Sequence, residues 1–512
     1  MQVRVLPGAL QNFVNYKIPQ EIKEVSEKLS KAGFENFLVG GCVRDLVLRK
    51  EPKDWDITTV ATPEEIQKVF PDSFYENDFG TVGVKTEMGV IEVTPYRLES
   101  DYSDARHPDE VTWAKNIEED LARRDFTMNA IALELNSPHP VSARHPSPGT
   151  RRGERDEVLI DPFGGQTDIG EKIIRTVGKP EERFGEDALR IFRALRLSAE
   201  LGFAIEAETM SAMKMCASKL EKISKERIRD EFVKIIMSPE PGVALEIAAR
   251  VGILKFISDE FEKGIGVEQN KAHAYTVWEH LVRSLNHAAA KNFPLHVRLA
   301  ALFHDIAKPH TKDFKNGVAT FYGHEVVGAR ITRKVLENLK FPKEIVEKVY
   351  KLVRWHMFFS DTEEITLSAV RRMVRNVTPE LIWDLMNVRA ADRIGTGRPK
   401  EKPYRLRKYQ SMIEEVMRDP ISVRQLMING KDIMSLTETG PGPYVGLILE
   451  ILLSEVLNDP KLNTKEYLEK RVKELFHLSK SELEKQGREA KKQNLGEEEK
   501  EIEKIRGEYG VK

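Results

Sequence analysis

Asp54 and Asp56 flank Trp55 in the run DWDITT. On a strand the two-residue period sends both carboxylates to one face, with Cα atoms about 7 Å apart. Two hard oxygen donors so placed can hold a pair of Mg²⁺ ions roughly 3.5–4 Å apart, which activates an attacking hydroxyl and steadies a leaving pyrophosphate. An isolated Asp-x-Asp is most often a solvated strand position, so its neighbours decide. Gly40-Gly41 and Arg44-Asp45 stand just upstream. Paired glycines between a strand and a helix let backbone N–H groups approach a phosphate closely. Arg44 can add positive charge to the same anion. A tight turn with a surface ion pair would account for these residues singly. The order strand, Gly-Gly, helix, Asp-x-Asp strand favours chemistry. Glu92, in VIEVTPY, falls on another expected strand and is a candidate third carboxylate.

A second constellation lies further along. His280 is in VWEHLV, His304-Asp305 in LAALFHDIAKPHT, His324 in YGHEVV, His356 in RWHMF and Asp392 in RAADRIG. A lone buried histidine is ordinarily a satisfied core residue. Six potential ligands in the order H, HD, H, H, D resemble the HD phosphohydrolase superfamily, which builds a metal site between helices. Imidazole and carboxylate ligands suit Zn, Ni, Mn or Fe, and water bound to such an ion becomes a nucleophile near neutral pH. Asp305 can bridge two ions. The alternative is a helical domain that only supports an RNA.

The elements that must position these groups are readable from periodicity. Residues 20 to 33 form an amphipathic helix, Phe37-Leu38-Val39 a buried strand, and Val43 to Leu48 a helix. DWDITT, residues 54 to 59, alternates as a strand. Thr62-Pro63-Glu64-Glu65 caps a further helix. TVGVKT and VIEVTPY, joined by Glu87-Met88-Gly89, read as a hairpin. From about residue 180 helical periodicity takes over, and the helix carrying LAALFHDIAKPHT should end near Pro309. Residues 137 to 155 are rich in Pro, Ser, Gly and Arg and read as an insertion between two hairpin strands. The stretch from Lys480 reads as a solvated helix or frayed tail. The chain of 512 residues is 40% hydrophobic, which excludes wholesale disorder. Charged residues make up 32% and the formal charge is −2, so any nucleic acid must be held by a local patch. Cys42 and Cys216 are the only cysteines, which excludes a disulfide scaffold and fits a reducing cytoplasm. No apolar run is long enough for a membrane helix, and the start MQVRVLPGAL lacks a signal-peptide pattern.

Residues 38 to 59, LVGGCVRDLVLRKEPKDWDITT, resemble the signature of the nucleotidyltransferase superfamily in its tRNA nucleotidyltransferase and poly(A) polymerase branch. RRDFTMNA (123–130), DPFGG (161–165), EDALRIFRALRLSAELGF (186–203) and ERIRDEFVKII (226–236) resemble that family's later motifs, in order. The insertion at 137–155 departs from its short connection. The resemblance implies an α+β nucleotidyltransferase head with a small mixed or antiparallel sheet (1–165). A neck that selects nucleotide and binds tRNA (166–265), an HD body (266–420) and a helical tail (421–512) would follow, all mostly α-helical.

The resemblance also assigns roles. Asp54 and Asp56 would be catalytic and hold Mg²⁺. Gly40, Gly41, Arg44, Arg124, Asp125, Asn129, Asp187, Arg190 and Arg193 would bind nucleotide, Asp125 accepting from a ribose hydroxyl. Glu186, Asp187 and Arg190 fall at helical spacings and should share one face. There a carboxylate would accept from the exocyclic amine of C or A, and a guanidinium would donate to the ring nitrogen. Residues 101 to 121, with Asp104 and Arg106, would be the loop linked to switching from C to A addition. Arg193, Arg196, Lys225, Arg227 and Arg229 would meet tRNA phosphates, with Arg151, Arg152 and Arg155 as a weaker option. The implied activity is addition of C and/or A to a tRNA acceptor end from CTP and ATP, with no membrane and no obligate protein partner. A second transition-metal site would lie in the HD body. Alternatives are a CC-adding or A-adding partial enzyme, a bacterial poly(A) polymerase, or a metal-dependent phosphohydrolase with a degenerate head.

Overall fold

The computed structural model describes residues 17–75, 80–100, 110–135, 158–269, 274–315, 318–358 and 365–490. The insertion at 137–155, most of the loop from 101 and the tail beyond 490 lie outside the described residues. The chain divides into two compact units, Met1–Ile235 with Val243–Phe256, and Ile236–Gly242 with Ile257–Lys512. Among the described residues no helix is long and apolar enough to cross a membrane.

The first unit is built on strands β1 (Asn36–Val39), β2 (Asp56–Thr59), β3 (Phe74–Tyr75), β4 (Val82–Thr86), β5 (Gly89–Pro95), β6 (Arg97–Ser100), β7 (Glu110–Trp113), β8 (Ala132–Glu134) and β9 (Val158–Ile160). Seven of them form one sheet in the order β3-β4-β5-β2-β1-β8-β9, and β6 pairs with β7 separately. The sheet is mixed: β2 and β5 run parallel, while β1 is antiparallel to both of its neighbours. All four residues of β1 are buried, as a central strand's should be. The expected hairpin is β4–β5, closed by Thr86 opposite Gly89. Strands β8 and β9 pair antiparallel with Glu134 opposite Val158, so the insertion interrupts a hairpin as its composition suggested.

Phe37, Val39, Tyr96, Leu121 and Ala132 pack into one core cluster beneath this sheet. The helix Pro63–Val69 begins at a capping box in which Thr62 and Glu65 exchange hydrogen bonds, which fixes the exit of β2. Helices dominate after residue 180, with only short paired segments elsewhere.

Two local expectations need correction. The strand begins at Asp56, and Asp54 sits in the bend before it. Pro52 and the exposed Lys53 lead into that bend, where the chain is not yet committed to the ladder. Likewise Glu186, Asp187 and Arg190 do not share one helix. The helix Pro180–Glu186 ends at Asp187, whose φ of −138° is extended, and a new helix runs Arg190–Leu201.

Candidate functional site

The first site gathers at the end of β1. Gly40 has φ 77° and a Cβ there would stand 3.0 Å from Nη1 of Arg124 and 3.6 Å from Oδ2 of Asp56. Only glycine satisfies both the left-handed backbone and this approach. In the β2–β5 ladder Asp56 is directly opposite Glu92. Residues so paired on adjacent strands project to the same side, so Glu92 lies beside Asp56 although the two are 36 residues apart in sequence. Burial raises the Asp56 carboxyl above the usual carboxylate range and Asp54 adds to this, while Arg124 opposes it. Asp56, with Asp54 acting on it and Glu92 beside it on the paired strand, forms a hard-oxygen set that matches divalent-cation chemistry.

Arg124 is itself oriented. Its Nη2 donates to Asp120 Oδ2 at 3.0 Å, and Arg123 donates to Asp120 Oδ1 at 2.7 Å. Asp120 is fully buried; despite that burial, Arg124 and Arg123 hold its carboxyl below the ordinary value. Sequence reasoning missed Asp120. The signal was there, because Asp120 precedes the two arginines by three and four residues.

A hydrogen-bonded chain joins four of the expected nucleotide-binding residues. Arg44 Nη1 donates to Asn129 Oδ1 at 3.0 Å. Asn129 Nδ2 donates to Asp125 Oδ1 at 3.2 Å, and Arg193 Nε donates to Asp125 Oδ2 at 2.7 Å. Burial works against the charge on Asp125, but Arg193 and Arg190 outweigh it and bring its pKa to about 2. Arg44 also holds its neighbour Asp45 at 2.8 Å. The surface ion pair and the buried network are therefore both real, and one side chain serves both.

The expected base-reading pair is held from two directions. Asp187 accepts from Arg227 Nη2 at 2.8 Å and from the backbone N–H of Leu189 at 2.9 Å. Arg190 donates to Glu186, to Arg183 O at 3.2 Å and to Arg123 O at 3.3 Å. Asp187 and Arg190 thus flank a helix break, each clamped by its own partners. Arg227 was expected at tRNA phosphates; its guanidinium is committed to Asp187. The other four neck cations also have partners: Arg193 on Asp125, Arg196 on Glu231, Lys225 on Phe256 O and Arg229 on Asp230.

The second site lies in the second unit and brings together all six expected ligands. His280 is on the helix Val277–Ala290, His304 caps Leu295–Phe303, His324 opens His324–Asn338, His356 caps Lys343–Trp355, and Asp392 is on Ile382–Gly395. The HD helix therefore ends at Phe303, earlier than Pro309, leaving His304-Asp305 at a helix end with freedom to turn inward. Asp305 is central. Its Oδ2 lies 3.1 Å from His280 Nε2 and 3.3 Å from His304 Nε2. Its Oδ1 lies 3.1 Å from His324 Nε2 and 3.5 Å from His356 Nε2. Asp392 Oδ1 stands 3.4 Å from His280.

Nδ1 of His304, His324 and His356 each donates to the carbonyl three residues earlier, at 2.9, 2.6 and 2.7 Å. Those bonds put a proton on each Nδ1 and turn each Nε2 inward, the orientation of a metal-ligating imidazole. The His324 and His356 Nε2 atoms face each other at 3.3 Å, an arrangement a cation relieves. Two ligand groups result, His280, His304 and Asp305, and Asp305, His324 and His356. Burial disfavours charge on the His280, His304 and His356 rings. At His304 the adjacent Asp305 and Asp392 reverse that and hold its pKa up to about 10, whereas burial pushes His356 down to about 4. Lys308, not singled out in the sequence, places Nζ 2.5 Å from Asp305 Oδ2.

Three family models match the chain: "Poly A polymerase head domain" over residues 36–175, "Probable RNA and SrmB- binding site of polymerase A" over 202–264, and "HD domain" over 271–394. A CCA-adding enzyme of Leuconostoc mesenteroides is 30% identical over 469 residues, covering 90% of this chain and 98% of that protein. A CCA-adding enzyme of Geobacillus thermodenitrificans is 31% identical over 454 residues, covering 87% and 95%. Among solved structures, the Bacillus stearothermophilus CCA-adding enzyme in complex with CTP is 28% identical with a TM-score of 0.66, covering 89% of this chain and 96% of that one.

Proposed function

The chain belongs to the CCA-adding enzymes, and on that premise we propose that it adds C, C and A to a tRNA 3′ end from CTP and ATP, in the cytoplasm. The observation that carries this reading is the juxtaposition of Asp56 and Glu92 on paired strands, with Arg124 and the Gly40 turn against them. The family depends on a divalent metal. Asp54, Asp56 and Glu92 would hold it, and their all-oxygen chemistry selects Mg²⁺. When bound, such ions lower the pKa of an attacking hydroxyl and offset charge on pyrophosphate.

The chain's own part is positioning. Gly40 keeps the approach to Asp56 free of any side chain. Arg44, oriented by Asn129, and Arg124, oriented by Asp120, offer fixed guanidinium groups to the triphosphate. Asp125, kept ionised by Arg193, has lone pairs left to accept from a ribose hydroxyl. Asp187 and Arg190, held apart across the helix break, present an acceptor and a donor that C and A satisfy and that U and G leave unpaired. The head would span 1–165, the neck 166–265, the HD body 266–420 and the tail 421–512. Incubation with tRNA ending at the discriminator base, at C and at CC, with labelled CTP or ATP, tests the reading. Two C additions followed by one A are expected. Arrest after CC, addition of A alone, or a long A tail on unrelated RNA would each replace it.

A second activity is favoured by the way Asp305 divides its two oxygens between two histidine pairs. His280, His304, Asp305, His324, His356 and Asp392 would hold two divalent transition-metal ions, which supply hydroxide near neutral pH for phosphate-ester hydrolysis. The buried ligands are preset by their carbonyl hydrogen bonds, so little reorganisation accompanies loading.

A further inference from the structure

Between two residues of the HD cluster, Asp305 and His324, the chain inserts a β-hairpin, Asp313–Lys315 paired with Val318–Thr320. A metal site needs no such element. Its surface is also unusual: Phe314 is 65% exposed and Val318 47%. Phe314 is directly opposite Ala319. Alternation carried one step past the strand puts Phe321 on the same side as Ala319 and Phe314. The Phe321 ring lies 5.6 Å from Nζ of Lys308, the group that contacts Asp305. Phe321 O also accepts from His324 Nδ1. The side of the hairpin that carries Phe314 is therefore the side tied to the metal-ligand cluster. Lys312 stands over the Phe314 ring at 5.7 Å and is anchored by Glu268 O at 2.8 Å.

We infer that this hairpin is the recognition element of the HD site, with Phe314 stacking the base of a nucleotide whose phosphate ester is directed towards the Lys308 side of the histidine cluster. The inference rests on the hydrolase reading above. An exposed ring beside a fixed ammonium suits a nucleobase, because every base offers a π-face and the cation favours the attached phosphate. One cation at the Phe314 ring, Lys312, and one against Asp305, Lys308, match the base and the phosphate of a single nucleotide better than a tract of backbone, which would need a longer row of cations. In the reaction one water is consumed. Its oxygen forms a bond to phosphorus, the bond from phosphorus to the nucleoside oxygen breaks, and that oxygen takes up a proton.

The full-length protein with Mn²⁺ would be assayed on adenosine monophosphate and on ribose 5-phosphate, which lacks the base. Phe314→Ala should lower the ratio of kcat/KM for nucleotide over base-free ester by about tenfold, the scale of one lost stacking contact. The change should lie in KM, and Phe314→Trp should restore the ratio. The Phe314→Trp protein, compared with wild type, should also show fluorescence quenching by adenosine monophosphate and not by ribose 5-phosphate. That readout does not need turnover. If neither ester is hydrolysed but quenching is seen, the hydrolase reading fails and the platform stands. An unchanged ratio together with no quenching, or equal quenching by both esters, would overturn the platform. Tighter quenching by a single-stranded oligonucleotide, with steep salt dependence, would overturn the assignment to one nucleotide.

Discussion

Asp56 is the residue whose environment says most about its task. It is drawn inward far enough that burial disfavours its charge, and Arg124 alone offsets Asp54 beside it. Asp54→Ala or Asp56→Ala should abolish nucleotide transfer in a filter-binding and incorporation assay while tRNA retention persists. Near wild-type transfer in both variants would remove them from the mechanism. Asp187→Ala should cost about 1–3 kcal/mol of discrimination against UTP and GTP, the scale of an unpaired buried group. Arg227→Ala should relax the same discrimination more weakly, since the Leu189 N–H still holds Asp187. Misincorporation ratios check both. Asp125 gives a pH signature. Its folded pKa, about 2, lies below the ordinary aspartate value of 3.8 because Arg193 and Arg190 outweigh burial. Its contribution, about 2 kcal/mol, is complete above about pH 4 and is lost as pH falls towards 2. Asp125→Asn should therefore lose less stability than wild type between pH 7 and pH 3 in urea unfolding. At this scale the meeting of the six HD residues was legible, because residue type and order sufficed. The Arg227–Asp187 pair was not, because it spans 40 residues and leaves no periodic trace.

At the scale of elements, most strands and helices follow their patterns. β1 is a run of buried residues, the Thr62-Pro63-Glu64-Glu65 cap appears where expected, and β4–β5 closes over Glu87-Met88. The failures have physical causes. The break at Asp187 carries no Gly or Pro; tertiary partners on both sides impose it. The parallel β2–β5 pairing needs a crossover that local alternation cannot announce. The interrupted β8–β9 hairpin invites a test. Its connection runs from Glu134 to Val158. Replacing residues 137–155 with a short Gly-rich turn should retain the fold and lower the cost of closing the loop, by about 1.5 kcal/mol on ideal-chain scaling. Thermal unfolding of the shortened chain checks this; a large fall in stability would mean that the segment packs on the head.

For the molecule as a whole, the two proposed sites lie in two compact units with no residue in common. His304→Ala or Asp305→Ala should remove Mn²⁺-dependent ester hydrolysis and spare CCA addition. Joint loss in a folded variant would argue against independence. With a net charge of −2 and these five neck cations already engaged by their own neighbours, tRNA affinity cannot rest on those five as free charges. Doubly replacing Arg227 and Arg229 with Ala should leave the salt slope of tRNA binding nearly constant, whereas a true phosphate contact would lower it by about 0.9 per site.

Lys308 has a consequence for how the second unit withstands loss of metal. Its ammonium group lies against Asp305 Oδ2 and also donates to Gln269 at 2.6 Å. It is an internal counter-ion supplied by the chain itself. Stripping the ions with a chelator leaves the central carboxylate compensated, so the second unit should keep its melting temperature to within a few degrees. Lys308→Met should make the same protein more chelator-sensitive, because the buried carboxylate would then lose its nearest fixed cation. Scanning calorimetry with and without EDTA on the two proteins would separate a domain that needs its metal to fold from one that carries its own substitute.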